Sequence, residues 1–325
     1  MDTYTVKTPV LVIFYNRDQK AKNIIQNLIN TTYQFSKIYF SIDGPKNLED
    51  QKKVDKVINI INSFKIKFKK VELIIRKENL GLQKNIIQSI DYVLNKNETV
   101  IVLEDDHIVS PKFFDFCDLM LEKFKDNEKI FSVAGTCYLP DDLKQDEIFL
   151  TKFPDCVGWA TWRNKWSKLI RKFSFFEIYK KKLINKYYKN FSMEHWFYEY
   201  LYRECTAIEN KGLWSTWWQL SIIYENGLSV NPMRNLTIHD GLDKDANAVH
   251  FDESYALKKK LSCETININK ISNYNRNYDQ NLDKYNFEII KKTDPVFKFL
   301  NRIKWLIKFI PRLYGLKGSE KSINS

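Results

Sequence analysis

The stretch Thr99-Val-Ile-Val-Leu-Glu-Asp-Asp106 joins a short, β-favouring apolar run directly to three carboxylates. A run of this length and composition is typical of a strand that is buried on both faces, as in a parallel sheet. Side chains alternate along a strand, so Glu104 and Asp106 are predicted to point to one side and Asp105 to the other. The stretch therefore predicts a core strand, Thr99 to Leu103, that ends in an acidic site.

Strands and helices alternate on the N-terminal side of this stretch. The predicted strands are Pro9 to Tyr15, Lys37 to Ile42 and Val71 to Ile75. A helix is predicted after the first strand from the helical spacing of Ala21, Ile24, Ile25 and Leu28, and two more over about Glu49 to Phe64 and Gln83 to Leu94. This alternation predicts a doubly wound α/β fold, with a mixed but mainly parallel sheet flanked by helices.

A polar cluster follows each of the four strands. The clusters are Asn16-Arg17-Asp18, Asp43-Gly44-Pro45, Asn79-Leu-Gly81 and the triplet Glu104-Asp105-Asp106. Doubly wound sheets bind their ligands at the carboxyl ends of the strands. We therefore expect a ligand site at the edge of the sheet where these four clusters meet.

The chain beyond the triplet has a different texture. Ser110-Pro111 is predicted to start a helix, with Ser110 as its N-cap, and Phe131 to Ala134 is predicted to be another strand. From about residue 140 the chain is rich in aromatic residues, including Gly158-Trp-Ala-Thr-Trp162 and Trp214 to Trp218. Flat rings can stack on sugars, but large aromatic side chains more often fill cores, so we favour the core interpretation for each single Trp.

Composition limits the class of protein. The 325 residues are 44% hydrophobic, which is enough for a substantial core, and the five cysteines show neither disulfide nor zinc-site spacing. No apolar run approaches the roughly 20 residues that cross a bilayer, and no signal peptide is recognisable. We therefore expect a cytoplasmic protein. The net charge of +12 favours anionic partners, but no nucleic-acid recognition motif is present, so nucleic acid is not expected as a partner.

A basic amphipathic helix is predicted over residues 297–313. Its apolar face carries Leu300, Ile303, Leu306, Ile307, Ile310 and Leu313, and its basic face carries Lys298, Arg302, Lys304, Lys308 and Arg312. Such a helix can lie in the interface of an anionic membrane, on the inner face of the cytoplasmic membrane in this case. It can equally dock on the protein with its basic face in solvent, and Pro311 would kink or end it.

The acidic triplet suits a divalent cation. Adjacent carboxylates raise one another's pKa and destabilise the fold, and a cation removes that cost. Oxygen ligands suit Mg²⁺ or Mn²⁺, which proteins usually hold with one or two carboxylates plus the phosphates of a substrate. Because the three side chains alternate, they are not expected to bind the metal together.

The quoted motifs, together with Arg76 to Gly81 and Ser110-Pro-Lys-Phe-Phe114, resemble the GT-A glycosyltransferases, and most closely N-acetylglucosaminyltransferase I and its bacterial relatives. The resemblance covers roughly residues 8–250. It implies that Asp106 binds Mn²⁺ or Mg²⁺, that Asp105 contacts the ribose and that Glu104 reaches the donor sugar. The remaining donor contacts that it implies are Asn16, Arg17 and Asp43 around the base, and Asn79 and Gly81 near the donor. Of His239 and His250, the resemblance favours His250 as a further metal ligand.

The resemblance also implies a division of the chain and a reaction. Residues 1–255 would form the transferase domain, with a nucleotide-sugar half over about 1–135 and an acceptor half over 136–255, and residues 256–325 a C-terminal extension. The donor would be a UDP-hexose or UDP-N-acetylhexosamine. The acceptor would be a saccharide in surface glycan or lipopolysaccharide synthesis, and a lipid-linked saccharide if the helix over residues 297–313 binds membrane.

The catalytic base is the weakest part of the resemblance. An inverting transfer needs a base for the acceptor hydroxyl, and the relatives have an Asp where this chain has Ser215. Asp155, Glu194 and Asp240 are the candidates to replace it. Two other functions stay open: a binding module without turnover, and a sugar nucleotidyltransferase, although the segment from Phe14 to Gln19 lacks the glycines of a phosphate loop.

Overall fold

The structure, a computed structural model, describes residues 4–31, 33–139, 148–174, 178, 181–189, 193–194, 197, 214–240, 278–293 and 320–322. Its strands are β1 (Thr5–Val6), β2 (Val10–Phe14), β3 (Gln34–Phe35), β4 (Ile38–Ile42), β5 (Val71–Ile75), β6 (Thr99–Glu104), β7 (His107–Val109), β8 (Ile130–Ala134), β9 (Ile148–Thr151), β10 (Trp159–Trp162), β11 (Lys172–Ser174), β12 (Leu228–Pro232), β13 (Thr237–His239) and β14 (Glu320–Ser322). Its helices are α1 (Asp18–Asn30), α2 (Leu48–Phe64), α3 (Leu82–Leu94), α4 (Lys112–Lys123), α5 (Arg163–Trp166), α6 (Leu183–Tyr188), α7 (Trp214–Tyr224) and α8 (Gln280–Thr293).

Eight of these strands form one mixed sheet in the order β5-β4-β2-β6-β10-β8-β12-β9. The four strands of the N-terminal half are parallel to one another. Strand β10 then runs antiparallel to both β6 and β8, and β12 pairs parallel with β8 and antiparallel with β9. This architecture confirms the predicted α/β fold with a mixed sheet flanked by helices.

Strand β2 is buried on both faces, and its five residues are all apolar. Along β2, Val10, Val12 and Phe14 face one core, together with helices α1, α2 and α4. Leu11 and Ile13 face the other core, which α3 and α7 cover. A strand that is buried on both faces needs an uninterrupted apolar sequence, which is the pattern that identified it.

The predicted elements of the N-terminal half match the observed ones to within about a residue or two. The four predicted apolar positions of α1, from Ala21 to Leu28, are all buried. One detail differs: Pro111 has helical dihedral angles (φ −49°, ψ −39°), but the Ser110 hydroxyl makes no capping hydrogen bond. Ser110 instead contributes its backbone, since its N–H donates to Leu236 O at 2.8 Å and its carbonyl accepts from Phe113 N.

The described tryptophans of the C-terminal half form core. Trp159 packs against Trp166, Trp214 and Trp218, with ring centroids 5.6 to 6.0 Å apart, and all four rings are buried. Trp166 donates its ring N–H to Asp91 Oδ1 at 2.8 Å, which ties this cluster to α3. The core interpretation of these side chains is therefore the one that the structure supports.

Two segments near the C-terminus contact the sheet domain. Asp283 of α8 is fully buried and accepts hydrogen bonds from the Thr151 hydroxyl, Lys152 N and the Tyr278 hydroxyl. Strand β14 pairs antiparallel with β11. Residues 297–313, where an amphipathic helix was predicted, lie outside the described residues. Within the described part of the chain, no helix has the length and apolar character that crossing a bilayer requires.

Candidate functional site

The acidic triplet lies where β6 ends, beside the first turn of α1. Arg17, which immediately precedes α1, points its guanidinium at two of the three carboxylates. Its Nε lies 3.2 Å from Asp105 Oδ2, and its Nη2 contacts Asp105 Oδ1 and lies 2.9 Å from Asp106 Oδ2. Both aspartates are almost fully buried, whereas Arg17 is 28% exposed. The predicted juxtaposition of the first and fourth polar clusters is therefore present.

Burial and charge give the three carboxyl groups different affinities for protons. Burial, with help from Asp106 and Asp105, raises the pKa of Glu104 to about 8. Burial also raises the pKa of Asp105 to about 6, although Arg17 opposes that rise. Burial opposes ionisation of Asp106 as well, but His107, His239 and Arg17 together hold its pKa below the usual range. Asp106 is thus the member of the triplet most strongly held as an anion.

Two histidines flank Asp106, because β7 and β13 pair antiparallel with His107 opposite His239. The Nε2 atom of His239 lies 3.4 Å from Asp106 Oδ2, and the Nε2 atom of His107 lies 3.8 Å from Asp106 Oδ1. Burial lowers the pKa of His107 to about 3. No role was predicted for His107, although it directly follows the triplet, and His250 was preferred to His239. His250 lies outside the described residues, whereas His239 lies at the site.

Asp43 organises the second and third polar clusters. Its Oδ1 accepts from the N–H groups of Gly44 and Leu80, both at 2.9 Å, and its Oδ2 accepts from Gly81 N at 3.0 Å and Asn79 Nδ2 at 3.2 Å. Burial raises the pKa of Asp43, and these N–H donors oppose the rise. The three residues predicted to contact the donor here, Asp43, Asn79 and Gly81, are thus brought together, with Asp43 fully engaged in holding the loop.

Unpaired donors lie beside this loop. Nε and Nη2 of Arg76, which follows β5, are buried and have no hydrogen-bond partner. Nε2 of Gln83, in the first turn of α3, is also buried and has no hydrogen-bond partner. Arg76 is close enough to Asp43 to favour its ionised form. Buried N–H groups without hydrogen-bond partners are costly, so these groups are candidates to donate hydrogen bonds to a ligand at this edge of the sheet. Neither residue had been assigned a role.

Asp50 fixes the loop that follows β2. It accepts from the Tyr15 hydroxyl and from Asn16 Nδ2, and Lys46 N donates to it at 2.8 Å. Asn16, predicted to lie near a base, is thus held through its amide by a residue of α2. The sequence predicts no such role for Asp50, because acidic residues are common in the first turn of a helix.

The three candidate bases lie in different surroundings. Asp240 follows β13, donates its backbone N–H to Asp106 O at 2.7 Å, and pairs with Lys20 Nζ at 3.0 Å with its side chain 43% exposed. Asp155 accepts from the Tyr138 hydroxyl, from Thr136 Oγ1 at 2.9 Å and from Val157 N at 3.0 Å.

The third candidate, Glu194, accepts from Asn185 Nδ2 at 2.6 Å. Ser215, at the position where the resemblance expects an Asp, is half-buried in the first turn of α7. Asp240 is therefore the only one of the three candidates that the described hydrogen bonds connect to the triplet.

The residues around Asp106 fit a divalent cation of the Mn²⁺ or Mg²⁺ type. Among the described residues, no group of three or more His, Cys, Asp or Glu side chains is arranged as a complete metal cage. A complete cage is not required, since these ions are commonly bound by one or two protein ligands together with substrate phosphates. Asp106 offers a buried carboxylate, and His239 offers a nitrogen 3.4 Å from its Oδ2.

Solved structures with some similarity include three nucleotide-binding enzymes. A mannosyltransferase from Pyrobaculum calidifontis in complex with GDP-Man and Mn²⁺ shares 12% identity at a TM-score of 0.31, over 49% of this chain and 45% of that one. UDP-glucose pyrophosphorylase complexed with UDP-glucose shares 8% identity at a TM-score of 0.30, over 50% of this chain and 79% of that one. The inositol-1-phosphate CTP transferase from T. maritima shares 11% identity at a TM-score of 0.30, over 50% of this chain and 73% of that one.

Similarity this low identifies neither a site nor a substrate, and the chain spans less than half the length of the mannosyltransferase. No curated protein sequence matches the chain significantly. The family model is the informative comparison. The model described as glycosyl transferase family 2 matches residues 10–195, more than half of the 325 residues and a range that contains all four polar clusters. The chain belongs to glycosyl transferase family 2.

Proposed function

We propose that the chain is a metal-dependent glycosyltransferase that takes a sugar from a nucleotide-sugar donor bound at the carboxyl edge of β2, β4, β5 and β6. The observation that carries this proposal is the environment of Asp106. Within a family 2 domain, it is a buried anion that closely follows a core strand, and its Oδ2 lies beside Arg17 Nη2 and His239 Nε2. Membership of family 2 favours glycosyl transfer over nucleotidyl transfer.

The metal would be Mn²⁺ or Mg²⁺, bound by Asp106 with His239 as the second protein ligand. When bound, such an ion offsets the negative charge that develops on the departing diphosphate. Asp105 would contact the ribose, and Glu104, with its raised pKa, would reach the donor sugar. Arg17 would exchange part of its ion pair with Asp105 and Asp106 for the donor's phosphates, for which a planar guanidinium is well suited.

The nucleotide would lie over the loop that Asp43 holds. The unpaired N–H groups of Arg76 and Gln83 offer donors to an anionic or carbonyl-bearing ligand. Asn79 and Gly81 form the nearer wall, and Asn16, held by Asp50, would lie on the side of the base. We propose a UDP-hexose or UDP-N-acetylhexosamine as donor. GDP-mannose, which differs in both base and sugar, is the alternative donor to test.

Asp240 is the candidate that we propose as base for the acceptor hydroxyl, ahead of Asp155 and Glu194. Its carboxylate is exposed, and it directly follows His239 of β13, the strand that pairs with β7 beside the triplet. Both features support that role. Transfer would then proceed with inversion at the anomeric carbon. The acceptor, a saccharide or lipid-linked saccharide of a surface glycan or lipopolysaccharide, would approach from the C-terminal half. A relationship to N-acetylglucosaminyltransferase I remains part of this proposal.

Membrane contact through residues 297–313 is a separate part of the proposal. Five basic residues on one face of the predicted helix would favour anionic lipid. Co-sedimentation with anionic liposomes is expected to weaken when the five are replaced by Gln. Equal co-sedimentation of the two proteins would show that the helix does not bind membrane.

Release of nucleoside diphosphate tests the enzymatic proposal. The chain is incubated with UDP-glucose, UDP-N-acetylglucosamine or GDP-mannose, with Mn²⁺ or with chelator, and the diphosphate is quantified. We expect metal-dependent release that Asp106→Asn lowers by more than about 100-fold, since removal of a ligand should exceed the effect of losing an outer-shell partner. The exposed substitution Asp126→Asn serves as the control. Release that is the same in chelator, or in Asp106→Asn, contradicts the proposal.

A binding module without turnover is the second candidate, favoured by Ser215 at the position where the resemblance expects a base. It predicts donor binding without release or transfer under any acceptor condition. Detection of a glycosylated product with any saccharide acceptor excludes it.

A further inference from the structure

We propose that His107 is a positioning residue for Asp106: its Nδ1 locks the ring between two strands, and its Nε2–H orients Asp106 so that Oδ2 faces the cation. The inference deepens the metal site of the proposed function and rests on it. It concerns a residue that makes no contact with donor or acceptor in the proposal.

The ring of His107 is locked by two backbone groups. Its Nδ1 accepts from Glu104 N at 3.0 Å and from Gly158 N at 3.1 Å. Glu104 ends β6, and Gly158 immediately precedes β10, so a single nitrogen joins the ends of two neighbouring strands. The side chain is 3% exposed. The ring therefore has little freedom to turn, and it is part of the scaffold on which the triplet is built.

The same two hydrogen bonds fix the tautomer. A neutral imidazole carries one proton, and a nitrogen that accepts hydrogen bonds cannot also carry it. The proton must then be on Nε2. This atom lies 3.8 Å from Asp106 Oδ1, which is buried and has no hydrogen-bond partner. The separation exceeds a hydrogen bond, so the proposal requires the carboxylate to turn toward the ring. The only polar hydrogen of the ring thus faces the only unpaired oxygen of Asp106.

The two oxygens of Asp106 have different neighbours. Oδ1 faces His107, whereas Oδ2 lies 2.9 Å from Arg17 Nη2 and 3.4 Å from His239 Nε2. A donor that holds Oδ1 leaves Oδ2 directed at the groups on the ligand side. Partners that orient a metal-binding carboxylate commonly change metal affinity by about 10- to 100-fold when they are removed. The arrangement assigns such a role to His107.

Two substitutions separate the two nitrogens of the ring. In His107→Asn, the side-chain oxygen takes a place equivalent to Nδ1 and can accept the two backbone N–H groups, but nothing remains at the position of Nε2. In His107→Gln, the longer side chain can present an N–H toward Asp106, but it leaves the two backbone N–H groups without their acceptor. The first variant is expected to preserve the fold, and the second is expected to destabilise it.

The measurement is a titration of Mn²⁺, followed by the electron paramagnetic resonance of the free ion, with and without UDP. Thermal unfolding in chelator is recorded in parallel. We expect His107→Asn to unfold near the temperature of the unsubstituted chain and to bind Mn²⁺ about 10- to 100-fold more weakly. His107→Gln is expected to unfold at a lower temperature and to bind Mn²⁺ more tightly than His107→Asn does.

Three results would count against the proposal. If the unsubstituted chain binds no Mn²⁺, the proposed metal site fails, and the positioning role fails with it. If the unsubstituted chain binds Mn²⁺ and His107→Asn binds it equally well, only the positioning role is overturned. If His107→Asn and His107→Gln lose affinity in proportion to their loss of thermal stability, His107 is a structural residue alone.

Discussion

The two halves of the sheet place their polar side chains in different ways. In the half built from β2, β4, β5 and β6, parallel strands end at one edge, and the side chains that follow them bond to one another across that edge. In the half built from β8, β9, β10 and β12, parallel and antiparallel pairs are mixed, and buried aromatic side chains pack against the strands. The first half concentrates polar groups at one place, while the second disperses them.

The candidate bases illustrate the difference. Asp155 is engaged by residues of its own neighbourhood, from Thr136 to Val157, and Glu194 is engaged by Asn185. Of the three candidates, Asp240 alone contacts the first half, through Asp106 O and Lys20. The residue that follows β13 is therefore linked to the triplet, and substitutions at this point should have the largest effects.

The largest expected effect is at Asp240. If Asp240 takes the acceptor proton, Asp240→Asn should lower kcat by about 10²- to 10⁴-fold while the donor KM stays nearly unchanged. Asp155→Asn and Glu194→Gln should lower kcat by much less. Steady-state transfer to one acceptor, measured for all three variants, ranks them. A larger fall in kcat for Asp155→Asn than for Asp240→Asn would assign the base to Asp155 instead.

Loss of stability at Gly158 is the second expected effect, with Gly81 as its matched control. Both glycines have positive φ, +66° and +79°, so alanine strains the backbone at either by about 1–3 kcal/mol. A Cβ at Gly158 would also lie 2.6 Å from Cγ2 of the buried Thr237, whereas a Cβ at Gly81 meets nothing within 4 Å. Overpacking adds about 1–3 kcal/mol.

Chemical denaturation should therefore give a smaller free energy of unfolding for Gly158→Ala than for Gly81→Ala. Equal values for the two variants would mean that Thr237 moves aside without cost, and that the contact between β13 and the start of β10 is loose.

A smaller effect is expected in the pH dependence of stability. The pKa of Glu104 is raised to about 8 in the folded chain, above its value of about 4.3 when unfolded. Between these values the folded state binds more protons than the unfolded state, so the stability contributed by Glu104 falls as pH rises. Because Gln cannot ionise, Glu104→Gln should remove this pH-dependent loss of stability.

In chelator, the unfolding temperature of Glu104→Gln minus that of the unsubstituted chain should be larger at pH 8 than at pH 5. The increase should be roughly 2–4 °C for each kcal/mol of stability that Glu104 loses over this range. Differential scanning calorimetry at the two pH values measures it. Asp105 and His107 titrate in both proteins, so the difference isolates Glu104. A difference that does not change with pH would show that Glu104 has an ordinary pKa.

The fold of the N-terminal half could be predicted closely because its information is local. Val71–Ile75 was predicted with its observed bounds, and α2 and α3 were each predicted to within a residue of where they begin. Apolar runs and helical spacing are properties of neighbouring residues, so they are readable without knowledge of the tertiary structure. The Ser110 hydroxyl does not cap α4, and the bond from Ser110 N to Leu236 O is a tertiary contact that the local pattern does not encode.

The site was predictable in its location but only partly in its contacts. Four polar clusters at strand ends located the edge. The ion pair of Arg17 with Asp105 joins residues 88 positions apart, and the hydrogen bond from Gly158 to His107 joins residues 51 apart. Pairings over such separations leave no periodic signal. For His107 the sequence signal is its position directly after the acidic triplet.

The most direct test of the central claim is donor binding that depends on both a metal and Asp106. Thermal unfolding is recorded for the unsubstituted chain, Asp106→Asn and Asp155→Asn, with UDP-glucose, UDP-N-acetylglucosamine or GDP-mannose, each with and without Mn²⁺. A ligand that binds only the folded chain raises its stability by mass action. We predict that one donor with Mn²⁺ stabilises the unsubstituted chain and Asp155→Asn but not Asp106→Asn. Equal stabilisation of all three proteins, or of none by any donor, would contradict a donor and metal site at Asp106.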